Sequence, residues 1–206
     1  METGRRLGSP EARNRSILLD AAEQLMVEKG YAAVTSRRVA EAAGLKPQLV
    51  HYYFRTMDEL FLEMFRRRAQ SGLEQQRKLL RSPQPLWALW QFSIEPTVAK
   101  FTAELVALAN HRKELRAELA RYSGQLRREA REAIEELLPN YGADPDRFPA
   151  AVAIVLMTSV SRVVMMEKTL GITDGHDETF AFVEKWLHKF EGEPLHQYSI
   201  PVMPAR

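Results

Sequence analysis

Helical spacing of apolar residues runs through nearly the whole chain, and this feature restricts its fold more than any other. Apolar side chains recur every three or four residues, and no segment of useful length alternates apolar and polar residues as a strand would. Glycine and proline fall between the periodic segments, where helices start and stop. The sequence therefore predicts an all-α fold of about nine helices.

The composition excludes several classes of protein. With 206 residues, of which 45% are hydrophobic, the chain is long enough for a sizeable core. Because it has no cysteine, it can form neither a disulfide framework nor a thiolate metal site. No apolar stretch follows the N-terminus, so we expect no secretory signal. The longest apolar stretch, 148–160, falls short of the roughly 20 residues of a membrane span. We therefore expect a cytoplasmic protein without a membrane partner.

The net charge of +2 is unevenly distributed. Residues 1–70 contain 12 Lys and Arg against 9 Asp and Glu, whereas the remaining residues contain 17 against 18. A mildly basic N-terminal third is a weak indication of a polyanionic partner. Solvated arginines scattered over helices explain the same imbalance.

The sequence of residues 35–54 predicts two short helices joined by a tight turn. Thr35 is placed to cap the first helix, Gly44 ends it, and Pro47 opens the second. Small residues lie where the two helices must approach, which is typical of a helix-turn-helix. A structural corner without a binding role can show the same spacing.

The outer face of the second helix suits a DNA groove better than solvent. Glutamine can pair with adenine edges, leucine can touch a thymine methyl group, and histidine and tyrosine can donate to phosphates. Basic side chains surround the same face, and exposed amides at a helix start favour anions. The expected DNA contacts are Thr35, Arg37, Arg38, Lys46, Pro47, Gln48, Leu49, His51, Tyr52 and Arg55.

Between residues 17 and 60 the sequence resembles the TetR family of one-component transcriptional regulators. The resemblance rests on the stretches ILLDAAEQLMVEKGYAAVTSRRVAEAAGL and VHYYFRTMDELF, in that order. It implies that Thr35 contacts phosphate, that Tyr53 and Phe54 are structural, and that Thr56 caps the next helix.

Three features depart from the family pattern. Lys46 stands where a small hydroxyl cap is usual, and Met57 replaces a lysine that contacts phosphate. Arg55 is expected to compensate for that missing lysine. The family more often has Tyr followed by His where this chain has His51 followed by Tyr52, so their polar roles could be exchanged.

The resemblance also implies a helical C-terminal domain that dimerises and binds a small effector. In the family, the last two helices form a four-helix bundle with the partner subunit. Here residues 149–166 are apolar on more than one face, and the final helix has one apolar side. The expected interface residues are Val152, Val155, Ser159, Val163, Phe180, Val183, Trp186, Leu187 and Phe190. Core helices of a monomer would show the same pattern.

Aromatic residues and methionines in the same region could line an apolar effector pocket with a few polar anchors. The candidates are Trp87, Trp90, Phe92, Phe101, Leu105, His111, Tyr122, Met157, Arg162 and Met166. A packed core would contain the same residue types.

No segment has the signature of an enzyme or a metal site. Phosphate loops, nucleophile elbows, zinc-protease histidine pairs and calcium loops are all missing from the sequence. Residues 174–178 combine acidic residues with a histidine, but capping of the following helix explains them better than a metal. We expect no catalytic residue, metal or cofactor.

The sequence thus predicts a helix-turn-helix domain at 1–56, an effector-binding and dimerisation domain at 57–191 and a disordered tail at 192–206. The predicted function is that of a homodimeric repressor that releases a palindromic double-stranded DNA operator when a small, apolar effector binds. An alternative is a helical ligand-binding or protein-interaction module that has lost specific DNA binding. Activation in place of repression stays open, because it depends on operator position.

Overall fold

The computed structural model describes residues 10–144 and 146–195 of the chain. Within these ranges there are nine α-helices, two short 3-10 turns and no strand, which confirms the all-α prediction. The helices are α1 (Pro10–Lys29), α2 (Ser36–Ala42), α3 (Pro47–Tyr53), α4 (Met57–Leu80), α5 (Pro85–Ser93), α6 (Pro96–Ala109), α7 (Lys113–Leu137), α8 (Ala150–Thr169) and α9 (His176–Glu191). The 3-10 turns are Tyr31–Ala33 and Leu138–Tyr141.

The chain forms two compact units. Of the described residues, the N-terminal unit contains 10–69 and 104–119, and the C-terminal unit contains 70–103, 120–144 and 146–195. The N-terminal unit therefore extends beyond residue 56, where the sequence places a domain boundary. It includes the start of α4 and the segment 104–119, which we call the α6–α7 corner.

The core of the N-terminal unit is built from the apolar faces of its helices. Spacing of three and four residues puts these side chains on one side of each helix. The completely or almost completely buried residues include Leu18, Ala22, Met26, Val39, Ala40, Val50, Phe54, Leu60 and Met64.

Two predicted helix caps are present in this unit. The hydroxyl oxygen of Thr35 accepts a hydrogen bond from the amide of Arg38 at 3.4 Å. Thr56 likewise accepts one from the amide of Glu59 at 3.1 Å. The Glu59 carboxylate reaches back to the amide of Arg55 at 2.9 Å, one residue further than a standard capping box.

The core of the C-terminal unit lies among α5, the end of α7, α8 and α9. Residues 85–90 of α5 are all buried, because this short helix is covered on every side. The buried cluster consists of Leu86, Trp87, Ala88, Leu89, Trp90, Ala130, Ile134, Leu138, Ala150, Ile154 and Leu187.

The start of the predicted disordered tail is held in place. The side-chain amide of Gln84 donates to the carbonyl oxygens of Glu191 at 2.9 Å and Glu193 at 2.7 Å. Its side-chain oxygen accepts from the amide of Leu195 at 2.7 Å. A buried glutamine needs such partners, so these bonds connect the first residues after α9 to the start of α5. Residues 196–206 lie outside the described residues.

Helix α8 is longer than the 13-residue apolar stretch that the sequence predicts to be too short for a membrane span. It has 20 residues with a mean hydropathy of 1.7, so by length and composition it could cross a membrane. Apolar residues continue beyond residue 160 and past Arg162, up to Met166. The core helix of a soluble protein passes the same test, but only 22% of this window is buried in its own chain. The helix therefore has apolar surface that its own chain does not cover.

Candidate nucleic-acid interface

Helix α3 is fixed by its inner face and exposes its outer face. Val50 is 1% exposed and Phe54 is completely buried, so these two side chains anchor the helix in the N-terminal unit. Gln48, His51 and Tyr52 are exposed, with Tyr52 at 67%. The outward polar and aromatic groups of the prediction are therefore accessible to a partner.

The turn before α3 explains how the two short helices meet. Gly44 adopts a positive φ of 66°, which L side chains rarely tolerate, and the amide of Leu45 donates to the carbonyl of Ala40 at 2.9 Å. The left-handed conformation of Gly44 and this hydrogen bond end α2 and turn the chain within a few residues. Pro47 then takes the first position of α3, where a missing amide hydrogen costs nothing.

Positive side chains surround the exposed face of α3. Arg37 and Arg38 are exposed on α2, and Lys46 and Arg55 are exposed at the two ends of α3. Thr35 is exposed as well, and its hydroxyl can still donate to a phosphate because its cap bond uses only the oxygen. The set combines cations of the kind that can bind phosphate with groups that can contact base edges.

Tyr52, Lys46 and Met57, which take part in the departures from the family pattern, have defined positions. The Tyr52 ring packs edge-on against Tyr53, with centroids 5.0 Å apart at 84°. Its hydroxyl lies 3.5 Å from the Glu11 carboxylate, which is long for a hydrogen bond between oxygens. Lys46 is the N-cap residue of α3, but its side chain makes no capping hydrogen bond. The residue is exposed. Met57 begins α4 and is half-buried.

The expected pocket residues are distributed over both units. Leu105 and His111 belong to the N-terminal unit and the remaining eight to the C-terminal unit. Within the C-terminal unit, Trp87, Trp90 and Phe101 are buried, while Arg162 and Met166 are exposed on α8. The others are the half-buried Phe92, Tyr122 and Met157, the buried Leu105 and the exposed His111.

Buried donors in α5 lack acceptors. Trp90 is completely buried, and its indole N–H has no hydrogen-bond partner in the described part of the chain. The side-chain nitrogen of the neighbouring Gln91 is buried without a partner as well. By contrast, the Trp87 indole donates to the carbonyl of Gly192 at 3.1 Å. A buried donor without an acceptor destabilises the fold by about 1–3 kcal/mol, so each such group calls for an explanation.

A surface depression of about 370 Å³ lies elsewhere in the C-terminal unit and is lined mostly by charges. Arg77 donates to both oxygens of Glu129, at 2.8 and 2.7 Å. This hydrogen bond raises the pKa of Arg77 and lowers the pKa of Glu129. The lining residues are Arg77, Leu80, Arg81, Glu129, Glu132, Ala133, Glu136 and Leu137, none of which the sequence singles out as a pocket residue.

The expected dimer residues lie on different faces of α8 and α9. On α8, Val152, Val155, Ser159 and Val163 are exposed. On α9, four of the five face their own core, because Leu187 is buried and Phe180, Val183 and Phe190 pack against the same cluster. The exposed side of α9 instead has Trp186, at 37%, and Phe182, at 64%.

The expected interface residues leave out part of the exposed apolar surface of α8. Leu156 and Leu170 are 58% and 67% exposed, and Met166 is 54% exposed although it was expected in the pocket. Together with Val152, Ser159 and Val163 they recur at alternating steps of four and three residues. That heptad spacing is visible in the sequence and marks one continuous stripe.

His176, in the segment weighed as a metal site, is a structural residue. Its side chain is buried, and its Nε2 atom lies 2.7 Å from a carboxylate oxygen of Glu167, joining the end of α8 to the start of α9. Among the residues that the structure describes, no group of three or more histidine or acidic side chains could hold a metal.

Comparison with known proteins agrees with this architecture. Residues 18–64 match the family of bacterial regulatory proteins described as the tetR family. No curated protein matches the chain at a significant level.

Solved structures of regulators share the fold over most of their length. A transcriptional regulator from Saccharomonospora viridis, solved in complex with choline, has a TM-score of 0.70 at 13% identity and covers 86% of this chain and 96% of its own. A TetR transcription regulator from Haloarcula marismortui has a TM-score of 0.69 at 15% identity, with coverage of 87% and 98%. The fatty acid degradation regulator FadR from Bacillus halodurans has a TM-score of 0.63 at 18% identity, with coverage of 93% and 99%. Residues 18–64 are thus similar to the N-terminal domain of the tetR family, and the chain shares the all-helical fold of these regulators.

Proposed function

We propose that the chain is a cytoplasmic, homodimeric repressor that binds a palindromic operator and releases it when a small, largely apolar effector binds. Residues 1–56 would supply the DNA contacts, and residues 57–191 the dimer interface and the effector site. The observation that carries the proposal is the outer face of α3, where Gln48, His51 and Tyr52 are exposed on a helix anchored by buried apolar groups.

On DNA, α3 would lie in the major groove. Gln48 would pair with an adenine edge and Leu49 would contact a thymine methyl group. His51 and Tyr52 would donate to phosphates, as would Thr35 and the four exposed basic residues around them. Phosphate contacts fix the position of the protein on the duplex, whereas Gln48 and Leu49 would select the sequence.

The dimer would form through the exposed faces of α8 and α9. The α8 stripe, defined by Val152, Leu156, Ser159, Val163, Met166 and Leu170, has the spacing of a helix that packs against another helix. Phe182 and Trp186 extend the apolar surface onto α9. A twofold axis at this face would give two α3 helices and hence a palindromic operator, with half-sites about 34–36 Å apart.

The effector site would lie in the core of the C-terminal unit near α5. Two buried nitrogens, Trp90 Nε1 and Gln91 Nε2, have no acceptor in the described chain, and neutral donors favour an uncharged acceptor over a buried carboxylate. An apolar molecule with a carbonyl-type oxygen would accept a hydrogen bond from one of these donors. Such an effector releases DNA only if it binds the DNA-free form more tightly, and typical coupling changes affinity by about 5–150-fold.

A gel shift on the DNA that flanks the coding region, at two salt concentrations, tests the proposal. Specific, salt-sensitive binding to a palindromic segment supports the repressor. Binding without sequence preference at either salt concentration supports the alternative, a helical ligand-binding or protein-interaction module. Native mass spectrometry of the purified protein tests the effector, because a retained small molecule would appear as an added mass.

A further inference from the structure

Glu104 connects the α6–α7 corner to the turn that leads into α2. Its carboxylate oxygen accepts a hydrogen bond from the backbone amide of Tyr31 at 2.7 Å, although 73 residues separate the two. Tyr31 begins the 3-10 turn between α1 and α2. The first amides of a helical turn have no partner within it, so a side chain from elsewhere must satisfy them or leave them to water.

The turn leaves room for this carboxylate. Gly30 precedes Tyr31 and has a φ of +81°. A Cβ atom at Gly30 would lie 3.3 Å from the nearest Glu104 oxygen, which is tighter than most contacts of that kind. Glycine therefore provides both the backbone conformation and the close approach that the bond to Tyr31 requires.

Two contacts to α4 hold the corner within the N-terminal unit. The Arg112 guanidinium donates to the Asp58 carboxylate at 2.6 Å and lies 5.2 Å from the centroid of the Phe61 ring. Arg66 donates to the Glu118 carboxylate at 2.6 Å. Exposed ion pairs contribute little one by one. These two join the corner to α4, whereas Glu104 joins it to the turn before α2.

The Tyr31 turn determines where α2 begins. The amide of Val34 bonds the carbonyl of Tyr31 at 3.1 Å, and the amide of Thr35 bonds the carbonyl of Ala33 at 3.0 Å. Thr35 is the N-cap of α2. A shift of the turn would therefore shift the residue that caps α2 and that is proposed to contact phosphate.

We propose that Glu104 is a positioning residue for DNA binding, and that the α6–α7 corner is a structural part of the DNA-binding unit. This inference rests on the proposed DNA-binding function. Glu104 itself is negatively charged and contacts no DNA in this scheme. It acts by keeping the start of α2 in the position at which Thr35 and the neighbouring arginines meet the backbone of the duplex.

The test compares four substitutions in the full-length chain on a duplex that the parent protein selects from a random library. Glu104→Gln keeps a side-chain oxygen for the Tyr31 amide, whereas Glu104→Ala removes it and Glu104→Asp shortens its reach. Glu114→Ala removes the same charge from an exposed position of the same corner. By electrostatics alone, loss of a negative charge strengthens DNA binding.

We expect Glu104→Ala and Glu104→Asp to weaken binding to the selected duplex about tenfold, and Glu104→Gln to stay within about twofold of the parent. Glu114→Ala should bind at least as tightly as the parent. Equal affinities for Glu104→Ala and Glu114→Ala would overturn the proposal, as would equal losses for Glu104→Gln and Glu104→Ala.

Amide hydrogen exchange at Tyr31 gives a readout that needs no DNA. Exchange should be slow in the parent and in Glu104→Gln, and faster in Glu104→Asp and Glu104→Ala. If Glu104→Ala fails to fold, the comparison of Glu104→Gln with Glu104→Asp decides in its place. If the selection recovers no preferred sequence, the proposed DNA-binding function is wrong. If exchange at Tyr31 is unchanged in Glu104→Asp, the hydrogen bond between Tyr31 and Glu104 is refuted.

Discussion

The hydroxyl of Tyr141 donates a hydrogen bond to the carboxylate of Glu191 at 2.7 Å. The same carboxylate accepts hydrogen bonds from the backbone amides of Leu86 and Trp87, each at 3.0 Å. Those amides belong to the first turn of α5 and have no partner within the helix. Glu191 thus ties the end of α9 to the start of α5 and to the turn after α7.

We predict that Tyr141→Phe lowers the free energy of unfolding by about 1–2 kcal/mol near neutral pH, because it removes a hydrogen bond to a charged group. Burial, and then the bond to Glu191, raise the pKa of the Tyr141 hydroxyl. A raised pKa means that this contribution is complete below the unfolded value of about 10 and is lost as the pH rises beyond it.

Urea unfolding at pH about 7 and about 10.5 checks this prediction, since the difference between parent and variant should shrink at the higher pH. Tyr52→Phe is the matched control, because Tyr52 is 67% exposed and should change the stability very little. A difference that stays constant between the two pH values would show that the hydroxyl does not titrate as argued.

Gln48→Ala should relax sequence preference and leave non-specific binding almost unchanged. Its side chain is exposed on α3 and carries no charge, so its loss removes a base contact worth about 1–3 kcal/mol without altering the attraction to phosphates. Competition between the selected duplex and variants changed at single positions measures this. Equal weakening on every sequence would mean that Gln48 does not select bases.

Arg37→Ala should weaken selected and random DNA alike and reduce the slope of log affinity against log salt by about one. Arg37 is exposed on α2, next to the N-cap, where a phosphate contact is expected. Arg147→Ala is the control, because it removes the same charge from an exposed residue of the C-terminal unit. If Arg37→Ala and Arg147→Ala show the same dependence of affinity on salt, Arg37 does not contact phosphate.

The N-terminal helices could be predicted from sequence because their determinants are local. Thr35 and Thr56 cap the helices that follow them, and each cap joins residues only three positions apart. Gly44 ends α2 through its own backbone conformation. The bonds from Tyr31 to Glu104 and from Tyr141 to Glu191 join residues 73 and 50 positions apart, so no local pattern indicates them.

The orientation of α9 was not predictable for a different reason. Phe180, Val183, Leu187 and Phe190 form one apolar face, but Phe182 and Trp186 are apolar on the other. Periodicity shows that a helix has an apolar face and cannot say whether its own core or a partner covers it. Only the packing of α5 and α8 against α9 identifies the inner face.

The exposed stripe on α8 gives the last prediction. Val163 is 47% exposed near its middle, and a glutamate there would be buried without a partner if two copies of α8 pack together. We expect Val163→Glu to weaken dimerisation by about 3 kcal/mol, roughly a hundredfold in Kd. Val106→Glu is the matched control, because Val106 is 46% exposed on α6, outside the proposed interface.

Sedimentation of both variants over a range of concentrations measures the effect, while far-UV circular dichroism checks that each keeps its helices. The stripe is the reason that the proposed interface includes more of α8 and a different side of α9 than the sequence alone predicts. Residues that pack into the chain's own core, such as Leu187, are already covered, whereas Leu156 and Leu170 are not. If Val163→Glu and Val106→Glu associate equally well, the apolar surface of α8 is not the dimer interface and another partner must cover it.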